Sequence, residues 1–219
     1  MMISSEDTAE FASLRQQMVD SQLRARGIRD QRVLDAMARV PRHEFAPESY
    51  RHQAYEDHPL PIGEGQTISQ PYIVALMLDA LAILPTDRVL EVGTGSGYLT
   101  AVLAELAAQV VSVERHAVLA NSAKDLLARM GYNNARVIVG DGSLGYPEGA
   151  PYNAIIVSAA APEVPNALIG QLAEGGRMII PVGSADSQQL QLIRMQNGQL
   201  RLALRELCRF VPLVSGNGY

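Results

Sequence analysis

The sequence predicts an α/β fold built on a doubly wound, mostly parallel sheet of about seven strands. Two observations support this class. From residue 72 onward, short apolar runs alternate with helical stretches, which is typical of parallel βαβ units. Near the end of the chain, Asn197-Gly198 separates two arms of alternating apolar residues, 190–193 and 200–204. Because Asn-Gly is the strongest short hairpin signal, the sequence also predicts a C-terminal antiparallel hairpin at one edge of the sheet.

The length of the chain, 219 residues, corresponds to about one and a half average domains of ~150 residues. We therefore expect an N-terminal helical and loop extension, residues 1–71, and one compact α/β unit, residues 72–219. Apolar residues make up 47% of the chain and charged residues 19%, so the chain can bury a core without covalent staples. This composition excludes the disordered, collagen-like and coiled-coil classes.

The N-terminal extension divides into a helical half and an irregular half. Residues 8–40 carry apolar side chains at helical spacing, and Gly27 offers a left-handed stop before a second short helix at 33–37. Pro41 ends that helix. Residues 41–71 contain five prolines and no clear periodicity. Long irregular segments in compact folds are usually functional, so we expect this one to cover the active site.

The elements of the α/β unit follow from the apolar runs and the turns between them. Pro85-Thr-Asp87, for example, turns the chain from a helix into the first strand. The predicted elements are, in order, a helix at 72–84, a strand at 89–92, a helix at 99–108, a strand at 110–113, a helix ending near 131, strands at 137–139 and 154–157, a helix at 165–172 and a strand at 177–181.

Charge and cysteine content narrow the classes of partner and the cellular compartment that we expect. Eighteen basic against 23 acidic residues give a net charge of −5, whereas duplex-binding proteins normally carry a basic surplus, so no nucleic-acid partner is expected. The single cysteine, Cys208, allows no intrachain disulfide and favours the cytoplasm. The longest apolar stretch, residues 73–84, is too short to cross a membrane and includes Asp79. The N-terminus also lacks the basic and apolar regions of a signal peptide.

No metal site is expected. The histidines show no metal-ligand spacing, and we expect all four at the surface or in loops; they are His43, His52, His58 and His116. Cys208 is expected to be a small packed side chain.

A glycine cluster, Glu91-Val-Gly93-Thr94-Gly95-Ser-Gly97, stands where a buried strand turns into a helix, as in Rossmann-like sheets. Glycines let the backbone approach a ligand closely, and the helix N-terminus offers unpaired N–H groups. A dinucleotide fingerprint would place its third glycine at position 98, where this chain has Tyr98. The carboxylate of Glu91 would repel a pyrophosphate but suits a cationic sulfonium or ammonium group.

Two further acidic residues follow the next two strands. Glu114 ends the second strand 21 residues after Gly93, where a carboxylate can accept both hydroxyls of a ribose. Asp141 follows the third strand in Gly140-Asp-Gly142. Three acids at the ligand-binding edge of the sheet predict S-adenosyl-L-methionine rather than NAD as the cofactor. The predicted cofactor-binding set is Glu91, Gly93, Thr94, Gly95, Gly97, Glu114, Asp141 and Gly142.

The glycine cluster with its following Tyr98, together with Val-Val-Ser-Val-Glu114-Arg, resembles class I S-adenosylmethionine-dependent methyltransferases. The acceptor is not expected to be a nucleobase. Amino-group methylation uses an Asn/Asp-Pro-Pro-Tyr/Phe motif after the fourth strand, where this chain reads Ser158-Ala-Ala-Ala-Pro162. Carbon methylation of cytosine uses Pro-Cys, whereas Leu207 precedes the single cysteine here.

The irregular segment and the C-terminal region carry a more specific resemblance. Ala54-Tyr-Glu-Asp57, Pro59-Leu-Pro-Ile-Gly63, Gly65-Gln-Thr-Ile-Ser-Gln-Pro71 and Arg209-Phe-Val-Pro-Leu213 resemble the signatures of protein-L-isoaspartate O-methyltransferases. The resemblance covers residues 15–214. One position departs from it, since Asn153 stands where the family usually has aspartate.

The resemblance implies methyl esterification of the α-carboxylate of L-isoaspartyl residues in damaged proteins, and it leaves open whether D-aspartyl residues are also accepted. The ester then collapses to a succinimide, which starts repair. A carboxylate with a pKa of ~4 is already ionised at pH 7, so the reaction needs no general base. Ser69 is the residue expected to orient the acceptor carboxylate, although a serine here can instead cap the helix after Pro71. Thr67 is expected to assist, and Val211, Pro212 and Leu213 are expected to form a wall for the peptide, unless they are an ordinary edge strand.

Three alternative interpretations stay open at this stage. The chain can be a methyltransferase for a different carboxylate, an NAD-dependent dehydrogenase, or a binding module that has the cofactor site but no turnover. The predicted partners are isoaspartyl-containing proteins and peptides, and a monomer is expected.

Overall fold

The N-terminal extension begins with a long helical segment whose geometry changes along its length. In the computed structural model, which describes residues 8–184, 186–214 and 216, α1 (Ala9–Gln17) continues as a π-helix, Met18–Leu23, and one 3-10 turn. Gly27, with φ of 97°, ends it in the left-handed conformation, as predicted. The second helix, α2 (Gln31–Arg39), begins at an Asp30 cap and buries an apolar face.

Residues 41–71 contain more regular structure than the sequence indicates. Two 3-10 helices, Arg42–Phe45 and Glu48–Gln53, are followed by an antiparallel hairpin of β1 (Leu60–Gly63) and β2 (Gln66–Ile68). The prediction of a wholly irregular segment is therefore wrong. These strands are only four and three residues long and include a proline, so alternation has no length in which to show.

The α/β unit forms a seven-stranded sheet in the order β5-β4-β3-β6-β7-β8-β9, parallel from β5 to β7 and antiparallel from β7 to β9. This confirms the predicted fold class. The elements are α3 (Pro71–Leu81), β3 (Arg88–Val92), α4 (Tyr98–Leu106), β4 (Gln109–Glu114), α5 (Ala117–Arg129), β5 (Ala135–Val139), β6 (Tyr152–Val157), α6 (Asn166–Ile169), β7 (Leu172–Gly183), β8 (Gln188–Gln196) and β9 (Gln199–Cys208).

The C-terminal part of the sheet confirms one prediction and corrects another. Asn197 and Gly198 both have positive φ, 52° and 70°, and join β8 to β9 in the predicted hairpin. The helix predicted at 165–172 is wrong beyond Ile169. Its last residue, Leu172, instead pairs with β6 and begins β7, because the backbone groups there complete the ladder.

One hydrophobic core joins the extension to the sheet. Met37 of α2, Leu103 of α4 and Ile156 of β6 belong to the same buried cluster.

The division of the chain at residue 71 stays a prediction. In the described part of the chain, no helix is both long and apolar enough to span a membrane.

The surface assignment of the histidines is wrong for His43. This side chain is fully buried in a 3-10 helix and stacks on Phe11 with ring centroids 4.0 Å apart. Its Nδ1 lies 2.7 Å from the hydroxyl of Tyr55. The packed aromatic partners and the hydrogen bond at Nδ1 hold the imidazole in the core.

Candidate active site

A cavity of about 310 Å³ lies at the carboxyl ends of the central strands β3 and β4. Parallel sheets bind ligands at this edge, where the strand order changes direction. The β1–β2 hairpin contributes one wall of the cavity and residues 211–214 contribute another. The sequence-predicted residues that line it are Thr67, Ser69, Gly93, Thr94, Gly95, Glu114, Gly142, Val211, Pro212 and Leu213.

The glycine loop follows β3 and is held by backbone hydrogen bonds to β4. Gly93 N–H donates to the carbonyl of Val113 at 2.8 Å, and Gly93 and Gly95 adopt φ of 93° and 53°. Gly97 has φ of 88° and does not line the cavity. A Cβ at Gly97 would lie 3.1 Å from that of Ala123, so its role in the structure is close packing against α5.

Glu114 is the buried acid of the cavity wall, with only 5% of its surface exposed. One carboxylate oxygen accepts the N–H of Gly95 at 2.9 Å, and the other accepts the N–H of His116 at 2.9 Å. These bonds orient the carboxylate and leave each oxygen a second lone pair. The arrangement fits the two hydroxyls of a ribose, as the spacing of the sequence predicts.

Glu91 does not line the cavity, although its carboxylate was predicted to face the cofactor's cation. It is fully buried and accepts the hydroxyl of Thr100, in α4, at 2.5 Å. Burial raises the pKa of Glu91 to about 8, and the charge of Glu114 acts in the same direction, against hydrogen bonds from Thr100 and Ser112. The side chain is therefore mostly neutral at pH 7 and packs beneath the glycine loop.

Asp141 also lies outside the cavity lining, and it organises the loop after β5. One oxygen accepts the backbone and hydroxyl of Ser143, at 2.9 and 2.7 Å, and the other accepts Gly216 N–H at 2.7 Å. Burial alone would raise the pKa of Asp141, but these hydrogen bonds outweigh it and hold the pKa below its usual value. Its neighbour Gly142 does line the cavity, and a Cβ there would lie 2.4 Å from Val92.

Ser69 lies between β2 and α3 and lines the cavity. The alternative reading, that Ser69 caps α3, does not match the structure. The N-cap position is Gln70, which makes no side-chain cap, and Asp57 accepts the N–H of Tyr72 at 3.2 Å instead. The carbonyl of Ser69 accepts a hydrogen bond from Arg42 at 2.9 Å. The backbone of Ser69 is thereby held in place, and its hydroxyl does not serve as the N-cap of α3.

The segment 211–213 pairs with the loop after β6. Ala160 N–H donates to Val211 at 2.8 Å, and Leu213 N–H donates to Ala160 at 2.7 Å. This short parallel bridge fixes the segment at the cavity wall while Pro212 stays exposed.

The Asn153 position lies away from the cavity, and its side-chain oxygen accepts the N–H of Arg88 at 2.9 Å. An asparagine supplies this acceptor as well as an aspartate does.

Sequence reasoning missed several residues of the site. Tyr98, His116 and Ser158 all line the cavity. His116 Nδ1 lies 3.5 Å from the carboxylate of Glu64 at the tip of the β1–β2 hairpin. His116 and Ser158 could have been predicted from their positions in the sequence, because each follows the end of a strand at the ligand-binding edge. Among the described residues, no cluster of His, Cys, Asp and Glu could hold a metal ion.

The mostly parallel sheet, the glycine loop after β3 and the buried carboxylate of Glu114 are together typical of a class I S-adenosylmethionine-dependent methyltransferase. The model of the protein-L-isoaspartate(D-aspartate) O-methyltransferase family matches residues 13–218. The chain belongs to this family.

Individual relatives agree with the family match. A protein-L-isoaspartate O-methyltransferase of Koribacter versatilis (strain Ellin345) is 56% identical and covers 100% of this chain and 98% of its own. One from Methanoculleus marisnigri is 55% identical over 94% of this chain and 93% of its own. The solved structure of a protein-L-isoaspartate O-methyltransferase superposes with a TM-score of 0.85 at 32% identity, over 93% of this chain and 67% of that one.

A Plasmodium falciparum structure bears on the cofactor. It is described as a protein-L-isoaspartate O-methyltransferase in complex with S-adenosyl-L-homocysteine, and it has a TM-score of 0.80 at 30% identity. It covers 91% of this chain and 97% of its own. The family uses S-adenosyl-L-methionine, and the buried, oriented carboxylate of Glu114 beside Gly95 fits that cofactor.

Proposed function

We propose that the chain esterifies the α-carboxylate of L-isoaspartyl residues in damaged proteins and peptides, with Ser69 as the residue that orients this carboxylate. The observation that carries the proposal is that Ser69 and Glu114 line the same cavity. The first belongs to the segment outside the sheet, and the second to the cofactor edge of the sheet. A single cavity therefore offers a hydroxyl for the acceptor and a carboxylate for the cofactor.

The reaction joins two opposite charges and removes both. S-adenosyl-L-methionine, when bound, supplies a methyl group on a cationic sulfur. The acceptor carboxylate bonds to the methyl carbon as the carbon–sulfur bond breaks, which leaves a neutral ester and a neutral thioether. No proton moves, because the carboxylate is ionised at neutral pH. The chain therefore needs no general base, and its contribution is to hold the two reactants in line and to exclude water.

Each part of the site has a separate role in this proposal. Glu114 and the backbone of Gly93 and Gly95 hold the cofactor. Ser69 donates one hydrogen bond to the acceptor carboxylate, and the hydroxyl of Thr67, also on the cavity, assists it. Residues 211–213 form the wall against which the peptide lies. Glu91, Gly97 and Asp141 support the cofactor loops from behind the cavity lining.

The compartment and the partners are part of the same proposal. The single cysteine, Cys208, is half-buried and carries a thiol whose pKa burial raises to about 11, which suits a reducing cytoplasm. The acidic balance of the chain supports proteins rather than nucleic acids as partners. We propose that the acting species is a monomer.

A methyl-transfer assay with matched peptides tests this function. The enzyme is incubated with tritiated S-adenosyl-L-methionine and either an isoaspartyl peptide or its normal aspartyl twin, and base-labile methyl esters are counted. We expect counts on the isoaspartyl peptide alone. Counts on neither peptide would contradict the proposed acceptor and favour another carboxylate or a binding role without turnover. A D-aspartyl peptide in the same assay measures how far the acceptor range extends.

A further inference from the structure

We propose that Arg42 is a positioning residue for this reaction: it holds the main chain on both sides of the β1–β2 hairpin and thereby fixes Ser69 relative to the cofactor loop. The inference rests on the proposed role of Ser69. Nothing in the sequence patterns singles out Arg42, which lies three residues after the end of α2 and three ahead of Phe45.

The hydrogen bonds of Arg42 join the two ends of the hairpin. Its Nε donates to the carbonyl of Ala54 at 2.8 Å, ahead of β1. Its Nη2 donates to the carbonyl of Ser69 at 2.9 Å, directly after β2. The guanidinium is fully buried, so water does not compete for these carbonyls. One buried side chain therefore connects the segment that leads to the hairpin with the residue that directly follows it.

A third contact connects Arg42 to the cofactor side. The guanidinium carbon lies 4.8 Å from the ring centroid of Tyr98, within the range of a cation–π interaction. Tyr98 is the first residue of α4, directly after the glycine loop, and it lines the cavity. Arg42 thus contacts the segment that carries Ser69 and the helix that begins at the cofactor loop.

The way Arg42 is buried argues for a positioning role. Among the described residues, no carboxylate lies within ion-pair distance of it, its Nη1 has no hydrogen-bond partner, and the charge of Asp57 acts on it only from farther away. A buried cation without a directly paired carboxylate costs folding free energy, and an apolar residue often serves a purely structural position better. The planar fork of arginine can reach two carbonyls at once, whereas lysine offers a point charge.

Arg177 provides a matched control at the other end of α3. It is also buried, and it donates to the carbonyls of Leu81 and Ala82, each at 2.6 Å. It differs in pairing with a carboxylate, Asp87, at 2.5 Å, and in making no contact with Ser69. Like Arg42, it does not line the cavity. Substitution of either arginine removes a buried guanidinium that holds backbone carbonyls, but only Arg42 holds Ser69.

The first experiment compares Arg42→Lys with Arg177→Lys, at a temperature where both variants are folded by circular dichroism. Displacement by about 1 Å can cost ~100-fold in rate. For R42K we expect kcat on an isoaspartyl peptide to fall by roughly 10- to 100-fold. Binding of S-adenosyl-L-homocysteine should change less than about threefold, and R177K should keep kcat within about twofold of the wild type. Equal losses of kcat in the two variants would overturn the proposal.

The second experiment asks whether Arg42 acts through Ser69. If it does, Ser69→Ala with and without R42K should show the same kcat within about twofold, because the hydroxyl that Arg42 positions is gone. Losses that multiply would overturn the inference. If S69A kept the wild-type kcat, the role of Ser69 in the proposed function would be contradicted instead. Failure of the inference on Arg42 and failure of the proposed function therefore give different results. Where R42K does not fold, Arg42→Gln removes the buried charge, keeps one donor and carries the same expectations.

Discussion

On the cofactor side of the cavity, Gly93, Gly95 and Glu114 all lie at or within three residues of the end of a strand. On the acceptor side, Ser69 and residues 211–213 come from segments outside the seven-stranded sheet, far apart in the sequence. The first group is positioned by the register of parallel strands. The second is positioned by single hydrogen bonds between distant segments, from Arg42 to Ser69 and between Ala160 and residues 211 and 213.

This difference predicts that substitutions on the two sides affect different constants. A change at a strand end acts locally on cofactor binding, because the rest of the sheet holds the loop in place. A change in a long-range anchor displaces the acceptor segment and acts on turnover.

On the cofactor side, the largest effect is expected at Glu114. Glu114→Ala removes the acceptor for Gly95 and His116 as well as the proposed ribose contact. Hydrogen bonds to charged groups contribute ~1.5–3 kcal/mol, so we expect S-adenosyl-L-homocysteine to bind roughly 10- to 100-fold more weakly. Isothermal titration calorimetry measures this, with Glu148→Ala, exposed and outside the cavity, as the control. An unchanged affinity of E114A for S-adenosyl-L-homocysteine would contradict the assignment of Glu114 to the cofactor site.

The next effect is expected at Gly142, where the cavity floor meets β3. A Cβ at this position would lie 2.4 Å from Cγ1 of Val92, so Gly142→Ala forces the floor to move. Overpacking of this kind costs ~1–3 kcal/mol of stability, and cofactor affinity should fall about tenfold. Gly140→Ala is the matched control, because its nearest neighbour would be 3.6 Å away. Equal thermal stability of the two variants would show that Gly142 is not tightly packed.

On the acceptor side, a smaller effect is expected at Asp57. This carboxylate accepts Tyr72 N–H at the start of α3 and Gln70 Nε2 at 2.8 Å, and pairs with Arg26 at 2.5 Å. Asp57→Asn keeps an acceptor oxygen but loses the charge, so we expect a loss of ~0.5–1 kcal/mol in stability and a kcat lowered about threefold. Thermal unfolding and steady-state kinetics check this. If D57N changed the cofactor affinity and left kcat unaltered, the proposed difference between the acceptor side and the cofactor side would be contradicted.

The smallest effect on activity is expected at Glu91, but its effect on stability depends on pH. Burial raises the pKa of Glu91 to about 8, so between about pH 5 and 8 the folded state binds a proton that the unfolded state lacks. The free energy of unfolding should therefore fall with rising pH, by about 1.4 kcal/mol per pH unit from this group. In Glu91→Gln that fall disappears, and the stability advantage of E91Q over the wild type grows with pH up to about pH 8.

Chemical denaturation at several pH values measures the difference between the two proteins. A constant difference from pH 5 to pH 8 would show that Glu91 is ionised in the fold. The same variant separates two readings of Glu91. If its carboxylate faced the cofactor's cation, E91Q would bind S-adenosyl-L-methionine markedly more weakly, whereas its burial behind the loop predicts affinity within about threefold.

The cofactor side was largely predictable from the sequence because strand ends, glycines and acids occur there at fixed spacing. That spacing does not tell which way a side chain points at the end of a strand. Glu91 and Glu114 both come from strand ends, yet one is buried beneath the loop and the other lines the cavity. The direction depends on the neighbouring helix, here through Thr100 of α4, and tertiary contacts of this kind leave no periodic signal.

The acceptor side could be identified from motif resemblance but not built from patterns. The β1–β2 hairpin is too short for alternation to show, and His43 was assigned to the surface although it is buried. Arg42 lies next to His43 in a segment that has five prolines and no clear periodicity. Its partners are backbone carbonyls, which every residue has, so no residue type marks the contact.

The most direct test of this account is the effect of Ser69→Ala on turnover and on cofactor binding in the same preparation. Removing one oriented hydrogen-bond donor costs ~100-fold or more in other enzymes, and we expect kcat on an isoaspartyl peptide to fall by about that factor. The dissociation constant of S-adenosyl-L-homocysteine should stay within about threefold, and Ser49→Ala, exposed and outside the cavity, should match the wild type in both. Unchanged turnover in S69A, or equal losses of turnover and cofactor affinity, would contradict the assignment of Ser69 to the acceptor.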